Sequence, residues 1–186
     1  TNCYIWADEK TKNAIVIDAP DSADKIIAFA DEKGLKITDI ILTHGHFDHM
    51  LALAELKAAT GAKLSVFEKT ERFLEDRVLN LCHCMGIELA PTKADKLLHD
   101  GDIISFGENK IKVIATPGHT EDCMISGDTL FRLSVGRWDH PTGNMKEEIE
   151  SIQNRLMTLD DDVSVYPGHG ESTTIGNERR GNPYIG

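Results

Sequence analysis

Histidine and aspartate crowd one short stretch of this chain, His44-Gly45-His46-Phe47-Asp48-His49, directly after an apolar run. In an extended loop the side chains at i and i+2 point the same way, so His44 and His46 can share one metal ion. Asp48 and His49 are adjacent and diverge as the next helix begins, which lets them reach a second ion. Neutral imidazole plus carboxylate is a donor set for zinc, and also for iron or manganese. Further donors stand in Thr116-Pro117-Gly118-His119-Thr120, Ser126-Gly127-Asp128-Thr129 and Tyr166-Pro167-Gly168-His169-Gly170. Each of these stretches follows an apolar strand and uses glycine for a tight turn, as expected where loops converge on one site. Taken singly, His119 and His169 would read as structural or surface histidines and Asp128 as a turn residue. Together the four loops offer seven ligands: His44, His46, Asp48, His49, His119, Asp128 and His169.

The elements that must carry these loops follow from periodicity. Asn13 to Ile17 and residues 37–42 are apolar, β-branched runs that predict strands, and Lys63 to Phe67 predicts a third. Helices are expected from Asp21 or Ser22 to about residue 33, from about Met50 to Ala59, and from Glu68 to about Leu81. Ile103–Phe106 and Lys110–Ala115, joined through Gly107-Glu108-Asn109, predict a hairpin. A helix from Met145 to about Leu159 and a strand over Val163–Tyr166 complete the order. Alternating strands and helices favour an α/β fold, with two sheets face to face and helices outside, built as one domain over residues 1–186.

Composition narrows the function. A formal net charge of −11 opposes binding to phosphate backbones, and no basic patch offsets it. No apolar run has the length of a membrane span, so neither nucleic acid nor membrane is expected as a partner. Four cysteines in 186 residues make no disulfide framework and fit a reducing compartment, the cytoplasm. Cys82-His83-Cys84 lacks a partner pair and reads as ordinary packing, His99 and His140 as surface loop residues.

In THGHFDH, TPGHT, SGDTLF and YPGHG the chain resembles the metallo-β-lactamase superfamily. Gly127-Asp128-Thr129-Leu130-Phe131, Gly136-Arg137 with Asp139, and Thr173-Thr174-Ile175-Gly176 with Glu178-Arg179 and Asn182-Pro183 are similar to the glyoxalase II (hydroxyacylglutathione hydrolase) group, in its short single-domain bacterial form. The resemblance implies a four-layer αββα sandwich and two divalent metal ions, zinc first, iron or manganese next. It puts His44, His46 and His119 on one ion, Asp48, His49 and His169 on the other, and Asp128 between them. A metal lowers the pKa of its bound water, so the nucleophile is solvent and not a side chain, with Asp48 orienting it and accepting its proton. The substrate implied is a small acyl thioester such as a 2-hydroxyacyl-glutathione. Arg137 is a candidate for a substrate carboxylate, with an ion pair to Asp139 as the competing role. The rival activities are a mononuclear iron persulfide dioxygenase, and a lactonase or other hydrolase on the same core.

Three departures from the family pattern stand out. Only residues 170–186 follow His169, where glyoxalase II proteins carry a helical extension with cationic contacts to glutathione. Asp18-Ala19-Pro20 replaces Asp-Pro-Gly at a turn, a change expected to matter little. Residues 120–127 are too few for the two strands that should separate His119 from Asp128, which implies a hairpin lost near Cys123 and Met124, and the same explanation would cover a strand missing before Thr1.

Overall fold

The computed structural model describes residues 1–121 and 127–185, so the lost hairpin expected near Cys123 and Met124 lies outside the described residues. Contacts divide the chain into two compact units, Cys3–Val113 and Ile114–Gly186 with Thr1–Asn2.

The first unit is a five-stranded sheet in the order β1 (Tyr4–Ala7), β2 (Asn13–Ile17), β3 (Lys36–Ile41), β4 (Lys63–Phe67) and β5 (Lys96–Leu98). β1 pairs antiparallel with β2, and the other pairs are parallel. Val16, Ile40, Leu64 and Val66 are fully buried, which is why these strands read as apolar runs and not as alternating ones. On them pack α1 (Ala23–Glu32), through Ala23, Ile26 and Ala30, and α2 (Leu53–Thr60), through Leu53 and Leu56. Each large aliphatic side chain buried here contributes about 1.5–3 kcal/mol. Both helices end where a glycine takes positive φ, Gly34 at 64° and Gly61 at 68°. The expected hairpin forms as β6 (Ile103–Phe106) against β7 (Asn109–Lys112).

Two expectations in this unit are corrected. The helix expected to begin near Met50 begins at Leu53, and Phe47–His49 form a separate 3₁₀ turn. The helix expected over Glu68–Leu81 is a 3₁₀ turn over Glu68–Leu74, followed by loop and a short α3 (Cys82–Met85). The Asp76 carboxylate takes the amides of Val78 and Leu79, and Leu81 adopts a left-handed φ of 66°, so the chain turns instead of propagating the helix.

The second unit has two-residue strands, β8 (Leu130–Phe131) with β9 (Ser134–Val135), and β10 (Ser164–Val165) with β11 (Thr173–Thr174). The expected helix starts on Met145 as α4 (Met145–Ser151) and continues as a wider π-type turn over Ile152–Leu156. Asn144 caps it by accepting from the amides of Lys146 and Glu147. α5 (Ile175–Gly181) follows, capped by Thr174. Leu130, Ile152, Leu156, Val165 and Ile175 form the core of this unit. Among the described residues no helix is long and apolar enough to cross a membrane.

Candidate metal centre

In the first unit the donors stand beyond the carboxyl ends of parallel strands, where open α/β sheets place ligands. β3 ends at Ile41, paired with Ile17 of β2, so Asp18 and Thr43 emerge side by side. Asp18 is buried at a left-handed φ of 59°, and its carboxylate accepts from the Thr43 amide at 2.8 Å, the Thr43 hydroxyl at 2.9 Å and His49 Nδ1 at 2.9 Å. With Nδ1 bonded to Asp18, the ring nitrogen of His49 that could hold a metal is Nε2, which lies 3.8 Å from Asp48 Oδ2. His44 Nδ1 faces the Thr43 hydroxyl at 3.2 Å, and its Nε2 stands 3.0 Å from His46 Nδ1. Gly45 makes this packing possible, since a Cβ there would stand 2.2 Å from Cβ of Phe73. Asn80 locks the far side: its carbonyl accepts from the Phe47 amide, and its side chain donates to the Phe73 carbonyl. His44, His46 and His49 are buried, whereas the Asp48 side chain keeps 31% exposure.

In the second unit, His119 Nδ1 donates to the Arg137 carbonyl at 2.6 Å, so Nε2 is the ring nitrogen that could hold a metal, 3.7 Å from Asp128 Oδ2. His169 Nε2 lies 3.4 Å from the same oxygen. The loops are tied by the Gly168 amide donating to the Gly127 carbonyl and by a 3.0 Å contact between the Thr116 and Thr129 hydroxyls. The Asn2 side chain donates to the carbonyls of Pro167 and Gly170, bracketing His169. The Arg137 guanidinium forms two 2.9 Å bonds to Asp139, whose carboxyl is held down at about 2 chiefly by that pairing. His140, expected at the surface, is half-buried with its ring edge-on to His119 at 5.9 Å. His99 is exposed beside Glu68 and Asp102, Cys82 is buried and Cys84 exposed.

A tetrahedral ion with bonds of about 2.0–2.1 Å places its donor atoms roughly 3.3–3.4 Å apart. The donor spacings within the two units, 3.0 and 3.8 Å in the first and 3.4 and 3.7 Å in the second, bracket that value. Each unit therefore carries His and Asp donors at a spacing that suits a metal ion. Asp18 is the residue that motif reading undervalued: it sits at a turn, and only the parallel pairing of β2 with β3 puts it behind a ligand. The Arg137 carbonyl leaves no mark in the sequence at all.

Residues 1–169 match the family model described as the metallo-beta-lactamase superfamily. The chain belongs to this superfamily. Among its relatives is hydroxyacylglutathione hydrolase GloC of Haemophilus influenzae, 32% identical over 99% of this chain and 92% of that protein. The crystal structure of the BLEG-1 B3 metallo-beta-lactamase matches with a TM-score of 0.93 at 30% identity, covering 99% of this chain and 93% of that one. TTHA1623, solved in a di-iron-bound form, matches with a TM-score of 0.84 at 33% identity over 98% and 94% of the two chains. The expected metallo-β-lactamase type of α/β fold is thus established, and with it membership of a superfamily of metallo-hydrolases.

Proposed function

We propose that this chain is a dinuclear metal-dependent hydrolase of acyl thioesters, with a 2-hydroxyacyl-glutathione as the model substrate. The observation that carries the reading is the pairing of metal-spaced donors with fixed imidazoles: Asp18 holds His49 and the Arg137 carbonyl holds His119, each by Nδ1. Such outer partners orient a ligand and raise its basicity. The likeness to GloC favours the thioester over other acyl substrates, and the di-iron form of TTHA1623 favours two ions over one. In this reading His44, His46 and His119 would hold one ion, Asp48, His49 and His169 would hold the other, and Asp128 would be available to both. Zinc is the first candidate metal, iron or manganese the next.

Two divalent ions held by these residues would supply an ionised water at neutral pH and positive charge for the oxyanion of the attacked carbonyl. Asp48, the carboxylate that keeps partial exposure, orients the attacking water and accepts its proton. The buried histidines cannot swing away, so the donors keep their places while charge builds on the substrate. Arg137 meets a substrate carboxylate in exchange for Asp139. A reducing compartment, the cytoplasm first, suits three described cysteines that all carry free thiols.

The test is elemental analysis joined to an anaerobic assay with S-lactoylglutathione. Two metal ions per chain and thioester cleavage without oxygen are expected. One iron per chain, with oxygen consumed on glutathione persulfide, would instead establish the dioxygenase reading. Cleavage of a lactone or a β-lactam in preference to the thioester would move the substrate but keep the dinuclear chemistry.

A further inference from the structure

Glu148 is fully buried on α4. Its Oε2 lies against Gly118, where a Cβ would stand 2.3 Å away, and its Oε1 against Gly136, where a Cβ would stand 2.9 Å away. The carboxyl is therefore wedged between two loops, one ending in His119 and the other supplying the Arg137 carbonyl that receives His119 Nδ1–H. The same face of α4 grips the first loop twice more. The Asn144 amide donates to the Gly118 carbonyl at 2.7 Å, and the Ser151 hydroxyl to the Pro117 carbonyl at 2.7 Å. Positions 144, 148 and 151 share one helix face.

The geometry points to Glu148 as a positioning residue that props the His119 loop against the Gly136–Arg137 loop and so fixes Nε2 of His119 as its ligand atom, an inference that rests on the metal-centre reading above. A purely structural role fits poorly. Neither carboxyl oxygen has a hydrogen bond of ordinary geometry, so the group is costly to bury, and Leu or Met would fill the space at less expense. Burial, aided by the charge of Asp128, pushes the carboxyl up to about 8, while the amides of His119 and Gly136 pull the other way.

The experiment is a zinc titration of the purified full chain against a competing chelator, with ¹⁵N-histidine NMR of the metal-free protein. Glu148→Leu should weaken one of the two zinc ions by roughly 10–100-fold and leave the other unchanged. It should also erase the Nδ1–H signature of His119. Glu148→Gln, which keeps the reach of the side chain, should restore both, and Glu150→Gln on the exposed face of α4 should change neither. Two zinc ions of unaltered affinity in Glu148→Leu would overturn the positioning role while leaving the metal centre standing. A wild-type chain that binds no zinc, iron or manganese would bring down both readings. If Glu148→Leu does not fold, the wild-type spectrum still decides: His119 must carry its proton on Nδ1 before any metal is added, and an Nε2–H form would sink the inference.

Discussion

The two units hold their candidate ligands by different means. In Cys3–Val113, His44, His46 and His49 follow a buried parallel strand, and their loop is fixed by backbone and by the carboxylate of Asp18. In Ile114–Gly186 with Thr1–Asn2, the described strands near the candidate ligands are two residues long, and single contacts do the holding: the Asn2 side chain for the His169 loop, and the Asn144 backbone amide, the wedged Glu148 carboxyl and the Ser151 hydroxyl for the His119 loop. A regular sheet resists displacement cooperatively, whereas a clamp of single contacts can be undone one group at a time. The first unit should therefore be the rigid template of the chemistry and the second the adjustable part.

The sharpest way to break that contrast is to remove one ligand from each side. His44→Ala, at a position with no exposure, should lower kcat/KM roughly a thousandfold, the equivalent of about 4 kcal/mol of transition-state stabilisation. His169→Ala, where the side chain is 43% exposed and water can take the vacant position, should cost only about ten- to a hundredfold. Equal losses in steady-state kinetics with both metals supplied would show that the two sides are not ranked.

Next in size is the outer carboxylate. Asp18→Ala strips acceptors from the Thr43 amide and hydroxyl and from His49, and puts alanine at a left-handed φ. Urea denaturation of the metal-free chain should show a loss of about 3 kcal/mol. Asp18→Asn keeps the acceptor for Thr43 and should lose about half of that. A change below about 0.5 kcal/mol for Asp18→Ala would mean that the β2–β3 edge, and not this side chain, holds the histidine loop.

The glycines that flank the ligands give a finer comparison. Gly45→Ala drives a methyl to 2.2 Å from Cβ of Phe73, a backbone-anchored atom that cannot step aside, and should cost about 2–3 kcal/mol and loosen His46. Gly170→Ala meets nothing within 4 Å and pays only for its φ of 78°, about 1 kcal/mol. Thermal unfolding of the two variants side by side reads the difference.

How much of this was legible beforehand divides along the same line. β2 and β4 fall on the residues expected, because a strand buried on both faces must be an uninterrupted apolar run. β1 escaped because Tyr4–Ala7 is largely half-exposed, with Trp6 open to solvent. The stretch after Phe67 misled because Phe73, Leu74, Val78 and Leu81 recur at helical spacing while Val78 is 54% exposed, and the Asp76 side chain outcompetes the helix. The seven candidate ligands were named from type and spacing, but the residues behind them were not. Asp18 looks like a turn residue until β2 and β3 are paired. In Lys146-Glu147-Glu148-Ile149-Glu150, nothing in the residue types separates the buried acid from its wet neighbours.

The smallest expected effect on stability bears most on substrate choice. Arg137 and Asp139 lie on the adjustable side, both well exposed, in a bidentate pair. Because the Asp139 carboxyl is depressed to about 2, the contribution of this pair is fully present above the ordinary carboxylate pKa of 3.8 and is lost only as pH falls from there toward 2. At neutral pH, Asp139→Asn should leave the urea midpoint unmoved, since an exposed pair is screened by water and salt. Its effect should appear in binding: with Asp139 neutral the guanidinium is released to a substrate carboxylate, so KM for a glutathione thioester should fall while kcat holds. Arg137→Lys, which cannot form the fork, should raise KM for that substrate and leave a thioester without carboxylates unchanged. Parallel shifts for both substrates would assign Arg137 to the His119 carbonyl contact alone and remove it from substrate recognition.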